Sequence, residues 1–199
     1  MTIKKFCIVG YGNHAQNKIL PILKEMNINS ISVVSNKKNI EKNVNTYASL
    51  DQALSDLNSD TYFIICSPPH LHFSQAYSII ENGFNVFIEK PIFLSLIELK
   101  KIIQLCEKKK VFFVENFMYQ YSGFYKKFID FVDLNRESIE KIYITFTLPK
   151  LPKNTFRQKI QKYPINIFDI GCYVISILNE LLIEDDLIIS EVSNKGDIE

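Results

Sequence analysis

The chain has 199 residues, which accommodates one large domain or one complete domain followed by part of a second. Hydrophobic residues make up 47% of it and charged residues 23%, an ordinary balance for a soluble globular protein. The formal net charge of +1 provides no long-range field that would favour nucleic acid or an anionic membrane as a partner. Arginine occurs only at Arg136 and Arg157, so bidentate contacts to phosphates or base edges are scarce.

The sequence also argues against export, membrane insertion and metal binding. Its first residues lead directly into a strand pattern without an apolar signal segment, and no apolar run is long enough to span a bilayer. Four widely spaced cysteines sit inside apolar patterns, without the spacing of a zinc site or a disulfide framework: Cys7, Cys66, Cys106 and Cys172. We therefore expect buried thiols in a cytoplasmic protein that has no metal centre.

The first motif is a glycine turn between a buried strand and a helix. Residues 5–10 have the apolar character of such a strand, and residues 16–26 show the apolar spacing of a helix. Gly10 permits a tight turn, Gly12 lets the backbone approach a pyrophosphate, and Ala15 is an accepted replacement for a third glycine. A plain strand-to-helix turn is the alternative, but a βαβ context favours a dinucleotide. The candidate contacts are Gly10, Tyr11, Gly12, Asn13 and His14.

The end of the second strand indicates which dinucleotide is bound. This strand covers residues 30–34, and the stretch that follows is Ser35, Asn36, Lys37 and Lys38. NAD-binding proteins carry an acidic residue here, which holds the ribose hydroxyls. A carboxylate would repel a 2′-phosphate, whereas a hydroxyl, an amide and lysines can bind it. The sequence therefore favours NADP(H), with NAD(H) as the alternative, unless the two lysines are only a solvated loop.

Strands and helices continue to alternate up to residue 114. The patterns predict helices at residues 50–57, 73–82 and 95–108, and strands at residues 61–66 and 111–114 and within residues 86–91. Gly83 is placed to end the second of these helices. This alternation over about 115 residues predicts an α/β fold with a doubly wound parallel sheet. Ligands of such sheets collect beyond the carboxyl ends of the strands, so Lys90 is expected to meet a bound cofactor.

The ordered set of motifs resembles the glucose–fructose oxidoreductase and inositol dehydrogenase family. The set comprises the glycine turn, Ser67-Pro68 with His72, Gly83 followed by Glu89-Lys90-Pro91, and the stretch at residues 169–173. The resemblance covers nearly the whole chain and is strongest to enzymes that act on sugars and nucleotide-linked sugars. It implies a Rossmann-type domain at residues 1–118 and the start of an α+β substrate and dimerisation domain at residues 119–199. It also implies that Ser67, Pro68, His72, Glu89 and Lys90 border the cofactor.

The resemblance further implies that Lys90, Asp169 and Tyr173 surround the carbon that exchanges a hydride with the nicotinamide. Asp169 and Tyr173 stand four residues apart on a helix predicted to run from Pro164 to about residue 182, so they share one face. Tyr173 is expected to donate the proton, while Lys90 favours its ionised form and polarises the substrate oxygen. Asp169 would orient the substrate hydroxyl or the lysine. Without the resemblance, an amphipathic helix with a satisfied acid is the simpler interpretation.

The second half departs from the family pattern at Gln120, in the shortness of its second domain, and at residues 161–166, where relatives usually have a glycine-rich loop before the Asp169 helix. Gln120 stands where relatives often have an arginine, which would remove a charged contact to the substrate. Aromatic residues near it suit either stacking on a sugar or core packing, and core packing is favoured: Phe117, Tyr119, Tyr121, Phe124 and Tyr125. A helix is predicted at residues 124–132. Only residues 142–148 and 187–192 are predicted as strands of the second domain's sheet, so that domain is expected to be truncated.

Two functions therefore remain open from the sequence. The first is an NADP-dependent oxidoreductase acting on a sugar, nucleotide-sugar or polyol, either as a shortened enzyme or with another chain that covers the second domain's sheet. The expected partners are thus a small-molecule substrate and a second copy or another protein chain, with no nucleic acid and no membrane. The second function is a cofactor-binding remnant or regulatory partner that holds NADP(H) without catalysis.

Overall fold

The computed structural model describes residues 5–28, 30–37, 40–41, 43–147 and 167–181. Its centre is a sheet of six parallel strands in the order β3-β2-β1-β4-β5-β6. The strands are β1 (Lys5–Val9), β2 (Ser30–Val34), β3 (Asn45–Tyr47), β4 (Thr61–Ile65), β5 (Asn85–Glu89) and β6 (Phe113–Asn116). Chain order reverses between β1 and β4, so the sheet is doubly wound and its ligands are expected at the carboxyl ends of these two strands. The predicted α/β class is confirmed.

Helices cover both faces of this sheet, and further helical turns follow it. The helices are α1 (Leu20–Glu25), α2 (Leu50–Asp56), α3 (His72–Glu81), α4 (Leu96–Lys109), α5 (Gly123–Asn135) and α6 (Cys172–Leu181). Wider π-helical turns lead into α1 at Ala15–Ile19 and into α6 at Ile167–Gly171. Short 3₁₀ turns lie at Pro69–Leu71, Met118–Tyr121 and Arg136–Ser138. Within the described ranges, every helix falls short of the length and apolar character that crossing a membrane requires.

Alternating side chains of the strands form two separate cores, one on each face of the sheet. Ile8 and Ile64 point to the face that α1 covers, where Leu20 and Leu23 pack on them. Their neighbours Cys7, Val9, Phe63 and Ile65 point to the face that α3 and α4 cover. A strand has a period of two, so a run that is apolar at every position must be buried on both faces. This double burial explains why the strands could be read from continuous apolar runs.

Local signals at helix ends match the structure closely. The Ser95 hydroxyl accepts a hydrogen bond from the Glu98 amide at 3.2 Å, and Glu98 Oε2 in turn accepts one from the Leu94 amide at 3.2 Å. This reciprocal arrangement satisfies two amide groups at the start of α4, as serine and glutamate do at many helix N-termini. Gly83 has a φ of +81° just after α3, which confirms its predicted role in ending that helix.

Several predicted bounds were wrong, and two elements differ in kind. The last strand of the sheet begins at Phe113 rather than at residue 111, and the short strand β3 was not predicted. Residues 142–147 were predicted as a strand, but they have no regular secondary structure. An alternating pattern forms a strand only where a neighbouring strand completes its hydrogen bonds. Residue 148, the start of the helix predicted from Pro164 and the strand predicted at residues 187–192 lie outside the described residues.

Candidate active site

The strand register brings the predicted cofactor residues to one edge of the sheet. Val9 lies beside both Val34 and Ile65, and Ile65 lies beside Ile88. The residues that follow these four strands are therefore neighbours: the glycine turn, the Ser35 loop, the Ser67 loop and the Lys90 turn. This edge is the place at which doubly wound sheets bind ligands.

Gly10 is required by the packing of the protein itself. Its φ is +90°, and a Cβ added there would lie 2.8 Å from the Ser67 nitrogen and 2.9 Å from the Ser67 Cα. Its amide donates a hydrogen bond to the Val34 carbonyl at 3.1 Å. Gly10 therefore joins the ends of three strands in a space that no side chain can enter.

Gly12 is different, because no protein atom requires a glycine there. Of the described residues, none places an atom within 4 Å of the Cβ that Gly12 lacks. The Gly12 carbonyl accepts a hydrogen bond from the Gln16 amide at 3.0 Å, so the residue opens the helical segment that leads to α1. The side chain of Tyr11 is buried in the core, whereas Asn13 is exposed. The turn thus offers backbone and open space, which fits the close approach of a pyrophosphate.

The loop after β2 presents polar groups beside this turn. The Ser35 amide donates to the Tyr47 carbonyl at 3.0 Å, which fastens the loop to β3. The Ser35 hydroxyl accepts a hydrogen bond from the Lys37 amide at 3.1 Å, and the side chains of Asn36 and Lys37 are exposed. Lys38 lies outside the described residues. No carboxylate stands at positions 35–37, so the groups available for a ribose or its 2′-phosphate are a hydroxyl, an amide and an ammonium.

His72 is buried, and both nitrogens of its ring face main-chain carbonyl groups. Its Nε2 lies 2.8 Å from the Ser67 carbonyl oxygen, and its Nδ1 lies 3.0 Å and 3.2 Å from the carbonyl oxygens of Pro91 and Ile92. Only 1% of the residue is exposed, so these main-chain groups enclose the ring, and the expected place of His72 at the cofactor stays a prediction. Burial lowers the pKa of His72, while these carbonyls and the charge of Glu89 act in the opposite direction.

Ser67 and Pro68 form the half-buried loop that His72 supports. The Ser67 hydroxyl donates a hydrogen bond to Gln75 Oε1 at 2.5 Å, which ties the loop to α3. Pro68 has an extended backbone, with φ −61° and ψ 146°, immediately before the 3₁₀ turn at Pro69–Leu71. The loop is thus held from α3 while it packs against Gly10.

Glu89 is fastened from two neighbouring segments. Its Oε1 accepts a hydrogen bond from Asn116 Nδ2 at 3.0 Å, and the same oxygen lies 3.3 Å from His14 Nε2. The His14 contact lacks hydrogen-bond geometry, so this ring nitrogen is without a hydrogen-bond partner among the described residues. His14 therefore turns a polar atom towards the carboxyl edge of the sheet, beside the glycine turn.

Lys90, Asp169 and Tyr173 are in contact with one another. Lys90 Nζ donates to Asp169 Oδ1 at 2.7 Å and to the Asp169 carbonyl at 2.5 Å, although 79 positions separate the two residues. The side chains of Lys90 and Asp169 are only 10% and 16% exposed, so this ion pair is largely shielded from solvent. The same ammonium lies 4.7 Å from the centre of the Tyr173 ring. The structure therefore brings together the three residues that the family resemblance singled out.

Aromatic side chains hold the Tyr173 ring in place. Phe146 is stacked on it, with ring centres 4.6 Å apart and an angle of 8° between the planes. Phe117 and Tyr119 approach it with ring centres 5.7 Å away. The Tyr119 hydroxyl lies 2.5 Å from the Ser176 hydroxyl, so this tyrosine also fastens α6. Much of the predicted aromatic cluster thus packs against the helix that carries Tyr173, while Tyr121 and Phe124 are exposed.

Two further polar residues lie near Lys90 in the structure. They are Glu115 and Cys172. Glu115 Oε1 accepts a hydrogen bond from the Ile92 amide at 2.8 Å. Burial raises the pKa of the Glu115 carboxyl, whereas the Ile92 amide and the charge of Lys90 lower it. Burial also raises the pKa of the Cys172 thiol, which lies 3.6 Å from the Asp169 carbonyl. The sequence contained a signal for Glu115, since it directly follows the apolar run at residues 111–114, as Lys90 follows the strand β5 of the same sheet.

The described residues offer no metal centre, since they contain no group of three or more His, Cys, Asp or Glu side chains able to hold an ion. The site consists of the loops at the carboxyl edge of the sheet and one cluster of ionisable side chains around Lys90. Such a combination can hold a cofactor and exchange a proton with a nearby oxygen.

Comparison with known proteins identifies relatives of this arrangement. The model of an oxidoreductase family with an NAD-binding Rossmann fold matches residues 4–117. D-xylose 1-dehydrogenase (NADP(+)) 2 of Haloferax volcanii is 24% identical over 153 residues, which are 76% of this chain and 46% of that protein. The chain thus spans less than half the length of this curated relative.

Solved structures share the fold. D-galactose-1-dehydrogenase from Rhizobium etli superposes with a TM-score of 0.60 and 24% identity, over 67% of this chain and 43% of that one. The WlbA dehydrogenase from Bordetella pertussis, in complex with NADH and UDP-GlcNAcA, gives a TM-score of 0.58 and 19% identity over 68% and 42%. At these identities the superpositions establish the fold alone. The substrate of this chain has to be inferred from its own residues.

Proposed function

This chain belongs to the glucose–fructose oxidoreductase and inositol dehydrogenase family, and we propose that it is an NADP(H)-dependent oxidoreductase. It would transfer a hydride between the nicotinamide and a carbinol or keto carbon of a sugar, nucleotide-sugar or polyol. The observation that carries the proposal is the contact of Lys90 with both Asp169 and Tyr173 at the carboxyl edge of the sheet. In this proposal residues 1–118 hold the cofactor and residues from 119 onwards begin the substrate domain.

The residues of the glycine turn fit the proposed cofactor. Gly12 leaves open space beside the backbone where a pyrophosphate would lie, and His14 turns an unbonded nitrogen to the same edge. Ser35, Asn36 and Lys37 support a preference for NADP(H), because a carboxylate at that place would repel the 2′-phosphate. Of the relatives above, one is an NADP(+) enzyme and another was solved in complex with NADH, so the preference proposed here rests on these three residues.

The cluster supplies what the hydride chemistry needs besides the cofactor. NADP(H), when bound, accepts or supplies the hydride. The carbinol oxygen must lose a proton as its carbon becomes a carbonyl, and it must gain one in reverse. We assign this proton exchange to the Tyr173 hydroxyl. The Lys90 ammonium stabilises negative charge on the reacting oxygen, and Asp169 holds that ammonium at 2.7 Å.

The substrate class is proposed from the same cluster and from the relatives. Xylose, galactose and a UDP-linked sugar acid appear in the names of the three relatives above. Each of these molecules presents a carbinol carbon, as the proton-exchanging cluster requires. We also propose that a second copy or another chain completes the substrate side, and sedimentation equilibrium tests that assembly directly.

The test combines binding and turnover. NADPH and NADH are titrated by cofactor fluorescence, and oxidation or reduction is followed at 340 nm with a panel of aldoses, polyols and keto-sugars. Tyr173→Phe is the informative variant, because it keeps the ring that contacts Phe146 and Lys90 and removes only the hydroxyl. We expect it to retain cofactor binding and to lose about 10²–10⁴-fold in turnover.

Two outcomes would overturn the proposal. A protein that neither binds a nicotinamide cofactor nor turns over any member of the panel is not this oxidoreductase. A protein that binds NADPH without turnover, with affinity unchanged in Lys90→Ala, belongs to the second functional class, a cofactor-holding partner. Gln120 is the reason to test for this second class. It stands where relatives often have an arginine, so a charged contact to the substrate would be missing.

A further inference from the structure

The turn that carries Lys90 is fixed by side chains from three different parts of the fold. Glu89 at its start is bonded to Asn116. The two residues after Lys90, Pro91 and Ile92, are bonded through their main chain to His72 and Glu115. Lys90 itself reaches Asp169. Among the described residues, the peptide groups of Pro91 and Ile92 have hydrogen bonds only with His72 and Glu115.

His72 fastens the turn from the side of α3. It is the first residue of that helix, and its ring spans the gap between the Ser67 loop and the Lys90 turn. The imidazole is almost completely buried, so its contacts are enclosed and geometrically restricted. A hydrogen bond in such surroundings is stronger than one in water.

Glu115 fastens the turn from the side of β6. Its carboxylate accepts a hydrogen bond from the Ile92 amide at 2.8 Å. It also lies close enough to Lys90 for their charges to interact. The register places Glu115 beside Ile88, one residue before Glu89 on the neighbouring strand. Glu115 thus combines a directional hydrogen bond to the Lys90 turn with a negative charge that interacts with Lys90.

We propose that His72 and Glu115 are positioning residues that clamp the Pro91–Ile92 main chain and thereby hold the Lys90 ammonium at Asp169 and over Tyr173. Neither residue touches the reacting atoms. Their effect on turnover rests on the proposed function, whereas their effect on the Lys90 turn does not. A misplacement of a reacting group by about 1 Å can reduce a rate by about 10²-fold, so a loosened clamp is expected to act on kcat.

Glu115 variants separate the hydrogen bond from the charge. Glu115→Gln keeps an oxygen that can accept from the Ile92 amide, whereas Glu115→Ala removes it. We expect kcat to fall about 10- to 100-fold in Glu115→Ala and to be restored to within about threefold in Glu115→Gln, with cofactor affinity unchanged in both. Rates are expressed per cofactor-binding site, so that a loss of folded protein does not imitate a loss of kcat.

Glu98→Ala is the matched control. Glu98 accepts a hydrogen bond from the Leu94 amide at 3.2 Å, two residues beyond Ile92 in the same connection. The Glu98→Ala variant therefore loses the same kind of hydrogen bond without loosening the Lys90 turn. Its kcat should equal that of the wild type. Equal losses in Glu98→Ala and Glu115→Ala would show a general loss of stability and overturn the clamp.

Two substitutions test His72, one to Asn and one to Gln. The side-chain amide of each takes the place of one ring nitrogen. The amide nitrogen of Asn stands near the place of Nδ1 and can donate to Pro91, whereas that of Gln stands near Nε2 and can donate to Ser67. Because His72 contacts the turn through Nδ1, His72→Asn should retain more kcat than His72→Gln. The reverse order would overturn the assignment of His72 to the clamp.

A measurement that needs no turnover separates this proposal from the proposed function. Trace acetylation with mass spectrometry reports how readily Lys90 is labelled relative to the exposed Lys101. We expect Lys90 labelling to rise at least about threefold in Glu115→Ala, and to stay near the wild-type level in Glu115→Gln and Glu98→Ala. Unchanged labelling in Glu115→Ala overturns the clamp even if the enzyme is active. Increased labelling supports the clamp even if no substrate is found.

Discussion

Alanine at Gly10 and at Gly12 should have opposite consequences, although the two glycines belong to one turn. At Gly10 a side chain must adopt a φ of +90° and bring its Cβ within 2.8 Å of the Ser67 nitrogen. An unfavourable backbone conformation of this kind costs about 1–3 kcal/mol, and the clash with rigid backbone adds to it. We therefore expect Gly10→Ala to lower the free energy of unfolding by about 3 kcal/mol or more.

At Gly12 the same substitution meets open space. No described atom lies within 4 Å of the added Cβ, so the free energy of unfolding should change by less than about 1 kcal/mol and can even rise. The added methyl group instead occupies the approach proposed for the pyrophosphate. We expect the NADPH dissociation constant to increase at least about tenfold, which corresponds to about 1.4 kcal/mol.

Urea unfolding and fluorescence titration with NADPH test the pair side by side. At this size, about 3 kcal/mol corresponds to a decrease in Tm of roughly 6–12 °C for Gly10→Ala. If Gly12→Ala were as unstable as Gly10→Ala, the structural distinction between the two glycines would be refuted. If Gly12→Ala bound NADPH with unchanged affinity, the cofactor would not approach the backbone at this turn.

Three further predictions follow from the loop after β2, the Tyr173 ring and His72. Lys37→Glu should reduce the affinity for NADPH about tenfold or more while leaving that for NADH within about threefold, measured by fluorescence titration, because a carboxylate repels the 2′-phosphate. Phe146→Ala and Tyr173→Leu should show a coupling of about 0.5–1.5 kcal/mol in a double-mutant cycle of unfolding free energies, since their rings are stacked. The pKa of His72 is lower in the folded chain than its ordinary 6.5, so the unfolded chain binds more protons and stability falls as the pH decreases below 6.5. His72→Gln lacks this titration, and urea unfolding between pH 7.5 and 5 should show a smaller loss for it; an equal loss would assign the effect to other groups.

The fold could be predicted where one local pattern was sufficient. Continuous apolar runs indicated the central strands because both faces of a parallel sheet are covered. The strand β3 escaped because its three residues Asn45–Tyr47 are too few and too polar to form an apolar run. Residues 142–147 show the converse error, since their alternation suggested a strand that has no regular structure. A strand depends on a partner that the local sequence does not specify.

The candidate site shows the same division. The glycine turn and the strand end at Lys90 were visible in the sequence, because each needs a particular residue type at a particular chain position. The place of His72 at the cofactor stays a prediction, and only the packing of α3 shows that its ring is enclosed by main-chain carbonyls. Glu115 was overlooked, although it is the penultimate residue of β6, the strand beside β5.

The sequence by itself determined the α/β class, the glycine turn and the absence of an acid at positions 35–37, since these follow from side-chain periodicity and residue chemistry. Only the tertiary structure decided which ionisable groups meet. Lys90 and Asp169 are 79 positions apart, and they are in contact because the helical turn before α6 lies at the carboxyl edge of the sheet. A contact between distant segments depends on how whole elements pack, and no local pattern of residues encodes that packing.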